Sequence, residues 1–192
     1  MEAFEIDLDK LLNGKKEQTV WDRPVPIVKV GNTYHCYITD DIESPSNYNE
    51  LCFLLDTLDD YHAVVLHINT GGGWIDSAFK IIASIKRSRA FVLARLTGTV
   101  ASAGTIISLS CDELEVEKYT HFMIHNYSTG TQGKGHEVMD YINFNDKTLK
   151  TTFKEVYKGF LTDEEMTEVL RGKDMWLDAE DVQKRWETKR GI

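Results

Sequence analysis

The chain has 192 residues, 42% of them hydrophobic and 28% charged, with a formal net charge of −9 at pH 7. That is enough chain for one domain with a real core, in an ordinary globular composition. The negative balance speaks against a nucleic-acid partner, whose phosphates demand clustered Lys and Arg. No apolar run approaches the roughly 20 residues needed to span a bilayer.

The N-terminal stretch MEAFEIDLDKLLNGKK is acidic and lacks the basic start and apolar centre of a signal peptide. Residues 1–26, closed by Pro24 and Pro26, read as an arm, and 27–192 as the folded domain. IVKVGNTYHCYIT (27–39) reads as two strands around a Gly31-Asn32 turn. Leu51, Leu54, Leu55 and Leu58 form a helical stripe. AVVLHI (63–68) is a short apolar strand, ended by the turn NTGGG. A second helical stripe follows in Ile75, Ala78, Phe79, Ile82 and Ile85, then a strand at 90–97 and a short helix at 102–111. Strands that alternate with helices and are apolar on both faces predict a parallel sheet in an α/β fold.

ELEVEK and THFMIHN read as two further strands, and YSTGTQGKGHE as a Gly-rich connection. A long helix follows, with Val138, Ile142, Leu149, Phe153, Val156 and Phe160 on one face. At about 25 residues it is roughly 37 Å long, more than so small a domain covers. Its apolar far end at Phe153, Val156 and Phe160 is therefore expected to pack on a symmetry mate, the alternative being that it folds back on the arm 1–25 within one chain. Thr162 and Glu165 offer a capping box, Gly172 a helix stop, KDMWL a strand, and Asp178 the N-cap of a last helix. The three cysteines, Cys36, Cys52 and Cys111, are odd in number, sit in apolar settings and form no CxxC. They read as reduced core thiols of a cytoplasmic protein.

LTGTVASAGTIISLSC (96–111) carries the chemistry. A serine at the first turn of a helix is usually an N-cap. Here Ala101, Ala103 and Gly104 leave room for another chain to approach Ser102. The position also lies just past a strand's carboxyl end, where open α/β sheets place ligands. A serine hydroxyl needs a base to become a nucleophile. His35, His62 and His67 lie in or near early strands and read as structural, and His136 begins the long helix, where it reads as a cap or surface residue. His121 and His125 are four apart but on a strand, without the glutamate of HExxH, which argues against a zinc pair. His125 ends an apolar run before a Gly-rich loop and can point into a cleft. The glycines of NTGGGW can form a plain tight turn, a phosphate cradle or an oxyanion hole. No P-loop lysine follows them. Asp174 is an ordinary turn acid unless it is buried beside His125, where it would orient the imidazole.

These segments resemble the ClpP family, the proteolytic subunits of the Clp protease, which are serine peptidases with the crotonase-like fold. INTGGGWI is similar to the family's Ile-Asn-Ser-Pro-Gly-Gly segment, and GTVASAGTIISLS to its nucleophile segment. FMIHN resembles Met-Ile-His-Gln, YSTGTQGKGHEV the Gly-rich strand after it, and RGKDMWLDAEDV the segment with the third triad member. The resemblance covers roughly residues 27–187. It implies a mostly parallel sheet with surrounding helices and a protruding strand-helix handle. It implies Ser102 as nucleophile, His125 as general base and acid, and Asp174 as the orienting acid. Gly73 and Ala103 would supply oxyanion-hole N–H groups, and Gly72, Trp74, Thr129 and Gly130 would flank the substrate. It further implies a homo-oligomer of two stacked seven-membered rings, enclosing a chamber for protein or peptide substrates. No metal, nucleotide or redox cofactor is implied.

The departures bear on the partner. Gly71 stands where the family has proline, and the large Trp74 is expected to narrow the cleft. The arm lacks a match to the axial loops, and WETKRGI lacks the family's usual close. Docking to a Clp-type ATPase does not carry over from the resemblance. A divergent, virus-encoded member would fit such drift. Two other readings compete. A non-catalytic assembly or peptide-binding homologue would have no chemical reason to keep all three triad residues. A crotonase-type acyl-CoA enzyme would not need Ser102 and His125 at these positions.

Overall fold

The computed structural model describes residues 19–191, so most of the arm read at 1–26 lies outside the described residues. The arm's last residues belong to the body. Val25 is buried, the Trp21 ring meets Tyr37 edge-on at 5.3 Å, and Arg23 pairs with Glu50.

Seven strands form one sheet: β1 (Ile27–Val30), β2 (Thr33–Ile38), β3 (Ala63–Thr70), β4 (Phe91–Ala101), β5 (Glu113–Val116), β6 (His121–Ile124) and β7 (Met175–Leu177). Their order is β1-β2-β3-β4-β6-β7, with β5 also paired to β4. The β1–β2 hairpin is antiparallel and turns at Gly31, whose φ of 60° suits glycine. β2, β3 and β4 run parallel, as do β4–β5 and β4–β6, while β6–β7 is antiparallel. Crossover helices α1 (Asn49–Thr57) and α2 (Ile75–Arg87) link the parallel strands. Leu51 and Leu55 of α1, and Ala78, Ile81 and Ile85 of α2, are buried as their spacing demands. The short α3 (Ala103–Ser108) is buried along its whole length. The chain closes with α4 (Gly135–Tyr157), α5 (Asp163–Leu170) and α6 (Ala179–Arg190). This mixed α/β sheet with helices around it is the expected fold class.

The handle's Gly-rich segment stays a connection within one chain, and its helix differs from expectation. Residues 125–134, which include the Gly-rich run, form no strand among the described residues. A run of small polar residues has no apolar face to hold it on a sheet. The apolar far end of α4 is also not left for a symmetry mate. Phe153, Tyr157 and Phe160 are buried within the chain, and Val156 packs against the same core. After Tyr157 the chain turns back through Gly159 (φ 77°), and the rings of Phe160 and Phe122 lie 5.7 Å apart. What α4 exposes is its first half, where Met139, Tyr141 and Phe144 stand open.

The C-terminal elements are capped as the sequence reads. Thr162 and Glu165 cap α5 reciprocally at 2.9 and 3.1 Å. Asp178 accepts from the Asp181 N–H at 2.9 Å. Arg185 on α6 makes two hydrogen bonds to Glu165, at 2.8 and 2.7 Å, which hold the Glu165 carboxyl below the usual carboxylate range. A carboxyl whose folded pKa is depressed contributes stability above its unfolded pKa and loses it as pH falls through the folded value. Urea titrations are therefore expected to show stability decreasing below about pH 4. Arg185→Ala should reduce that decrease; an unchanged acid slope in the variant would refute the role of the pair.

Candidate active site

Two devices at the end of β4 position Ser102. First, β4 changes partner along its length. Residues 93–96 pair with β5, and residues 99–101 pair with β6. The switch occurs at Gly98 (φ 61°), where a Cβ would lie 2.8 Å from Asn69 Oδ1. That same oxygen accepts from the Thr99 N–H at 3.0 Å, across a register shift in β3–β4. Second, the Ser102 N–H donates to the Met123 carbonyl at 2.9 Å. This extends the β4–β6 pairing by one residue and ties the serine to the strand that leads into His125.

Ser102 has φ 53° and ψ −122°, and among the described residues it is the only non-glycine with positive φ. Such a conformation costs of order 1–3 kcal/mol and persists only where the surroundings enforce it. Here they do. The Thr105 N–H and hydroxyl both donate to the Ser102 carbonyl, at 2.9 and 2.6 Å. The buried Tyr157 hydroxyl in turn donates to Thr105 Oγ1 at 2.5 Å. α4 thus braces the turn from behind.

Gly72 and Gly73 face Ser102 from β3's carboxyl end. A Cβ on Gly72 would lie 2.5 Å from Ser102 Cβ. Gly73 (φ 141°) bridges to Ile42: the Ile42 N–H donates to Gly72 O at 2.7 Å, and the Trp74 N–H to Ile42 O at 2.6 Å. Those bonds occupy the side facing Ile42 and direct the Gly73 N–H the opposite way. A cavity of about 420 Å³ opens there, and its lining includes Gly73, Ser102, Ala103 and His125.

Of the residues singled out in the sequence, Trp74 and Thr129 also line this cavity; Gly72 and Gly130 do not. Gly72 lies beneath the serine, and Gly130 faces open space. Asp174 is exposed and precedes β7. The β6–β7 pairing ends with Ile124 opposite Met175, so His125 and Asp174 are the first residues beyond the paired strands. Among the described residues, no hydrogen bond joins Ser102 to His125 or His125 to Asp174.

The other histidines lie elsewhere. His62 pairs with Asp59 at 2.5 Å, His35 faces His67 at 3.0 Å, and His136 is exposed on α4. His121 and His125 start and follow β6, some 13 Å apart along an extended chain, too far to share one ion. The three cysteines are free and buried. Burial pushes all three thiols up, Cys36 to about 12, so none offers a thiolate to compete with Ser102. The bridging Ile42, the Thr105–Tyr157 brace and the cavity wall from α4 had no signal in the sequence. Each depends on residues distant in the chain.

Residues 32–185 match the Clp protease family, a span that contains the whole cluster just described. The chain belongs to the Clp protease family. It is 26% identical over 142 residues to the "ATP-dependent Clp protease proteolytic subunit 2" of Borreliella burgdorferi (strain ATCC 35210 / DSM 4680 / CIP 102532 / B31), an alignment covering 71% of this chain and 70% of that one. Clp protease membership supports a hydrolase of the Clp peptidase type. No helix among the described residues is long and apolar enough to cross a membrane.

Proposed function

We propose that this chain is a serine endopeptidase that cleaves unfolded or delivered proteins inside an oligomeric chamber. The observation that carries the reading is the strained Ser102, held in one cavity with His125 and the Gly73 and Ala103 backbone. In this reading, His125 takes the Ser102 hydroxyl proton as Oγ attacks the scissile carbonyl. The Gly73 and Ala103 N–H groups receive the developing oxyanion. His125 passes its proton to the leaving amine, and water, activated by the same imidazole, hydrolyses the acyl-enzyme. Asp174, which precedes β7 as His125 follows β6, orients the ring and stabilises the imidazolium. As a base, His125 acts through its neutral imidazole.

The exposed first half of α4 and the strandless run at 125–134 supply surface for assembly, in two stacked seven-membered rings by family likeness. Light scattering is expected to give a mass well above the 22.0 kDa of one chain; a fully active monomer refutes the chamber. The buried free thiols fit a reducing compartment such as the cytoplasm. Use of a Clp-type ATPase stays outside this proposal.

One observation favours a second reading. Asp174 is exposed and not bonded to His125, as a non-catalytic assembly or peptide-binding relative would allow. A fluorophosphonate probe separates the two: labelling that disappears in Ser102→Ala marks the enzyme, and an unlabelled wild-type protein marks the scaffold.

A further inference from the structure

The cavity beside Ser102 is walled by aromatic rings and holds a single carboxylate. Trp74, Phe79, Tyr141 and Phe144 supply rings, Asn145 a polar group, and Asp76 the charge. No Lys or Arg lines the cavity. Asp76 sits in the first turn of α2, beside the turn that carries Gly73. Among the described residues it has no hydrogen bond or ion pair. Two residues, Trp74 and Ile75, separate it from Gly73, a span of at most about 11 Å. It therefore stays in the neighbourhood of the backbone N–H assigned to the oxyanion hole.

Resting on the peptidase reading above, we propose that Asp76 is a specificity-determining residue: the cavity accepts a Lys or Arg side chain at the residue whose carbonyl Ser102 attacks. The aliphatic stem of such a side chain lies along the rings, and its cation gains both ring faces and the unpaired carboxylate. A purely apolar side chain fills the same walls but leaves the exposed Asp76 carboxylate without a partner. An acidic side chain is repelled. The chain's net charge of −9 adds a long-range bias toward basic substrates.

The test uses the full-length protein and matched fluorogenic peptides that differ only in Lys, Arg, norleucine or Glu at the cleaved residue. The wild-type kcat/KM for Lys and Arg is expected to exceed that for norleucine by about tenfold, the value of one charge-assisted contact. Asp76→Asn is expected to bring that ratio near one. Asp76→Lys is expected to raise the Glu-to-Lys ratio above the wild-type value, a gain that misfolding does not imitate. Equal wild-type rates for Lys and norleucine overturn the proposal, as does a Lys-to-norleucine ratio unchanged in Asp76→Asn. Fluorophosphonate labelling of Ser102, which needs no side chain in the cavity, is read in parallel. Labelling with a flat preference overturns the role of Asp76 alone. Absence of labelling overturns the peptidase reading and this inference with it.

Discussion

Ser102→Ala is expected to abolish peptide hydrolysis, with a loss of turnover on the order of 10⁴ to 10⁶, while the fold survives. The hydroxyl makes no hydrogen bond within the described chain, so its removal leaves no buried partner unsatisfied. Alanine also keeps the Cβ that packs over Gly72. The backbone strain remains in this variant, because φ 53° disfavours alanine as it does serine. Ser102→Gly separates the two contributions. It should be equally inactive but more stable by roughly 1 kcal/mol, since glycine adopts positive φ freely. Paired measurements of peptide turnover and urea midpoint check both statements. Hydrolysis by Ser102→Ala at near the wild-type rate would remove Ser102 from the mechanism. A Ser102→Gly protein less stable than wild type would show that the turn is not strained.

Gly73→Ala is the second large effect. A Cβ there would lie 2.1 Å from the Ile42 carbonyl oxygen and 2.8 Å from its carbon, both backbone atoms that cannot rotate aside. The φ of 141° is itself unfavourable for alanine. The Ile42 bridge must open, and with it goes the constraint that aims the Gly73 N–H into the cavity. Loss of one oxyanion donor costs about 10²- to 10³-fold in turnover, and the distorted turn costs stability as well. Gly135→Ala serves as the control, since nothing lies within 4 Å of its Cβ and its φ is not positive. Steady-state kinetics on both variants decide the matter. A Gly73→Ala protein with unaltered kcat would refute the oxyanion assignment.

Local chemistry made much of this molecule readable from its sequence. The hairpin at Gly31-Asn32, the stripes of α1 and α2, the Thr162–Glu165 box and the Asp178 cap depend on residues within a few positions of one another. Periodicity and turn chemistry therefore report them directly. Ser102 and His125 were legible for a related reason. Each stands at the end of an apolar run, and a strand's end is where a parallel sheet opens its cleft.

Distance along the chain hid the rest. Phe153, Val156 and Phe160 looked like surface for another subunit because helix length was weighed without knowing where the chain turned. The reversal at Gly159 folds that end over α3 instead. The Ile42 bridge and the Tyr157–Thr105–Ser102 brace join residues about 30 and 50 positions apart, and no local pattern encodes such a pairing. Amino-acid order by itself determined the α/β class, the element types and the small-residue frame around Ser102, because propensity and spacing act over short range. Only the tertiary structure decided the left-handed turn at Ser102, the direction of the Gly73 N–H and the Asp76 cavity. Each of these exists only where packing between remote segments outweighs the conformation the local chain would choose alone.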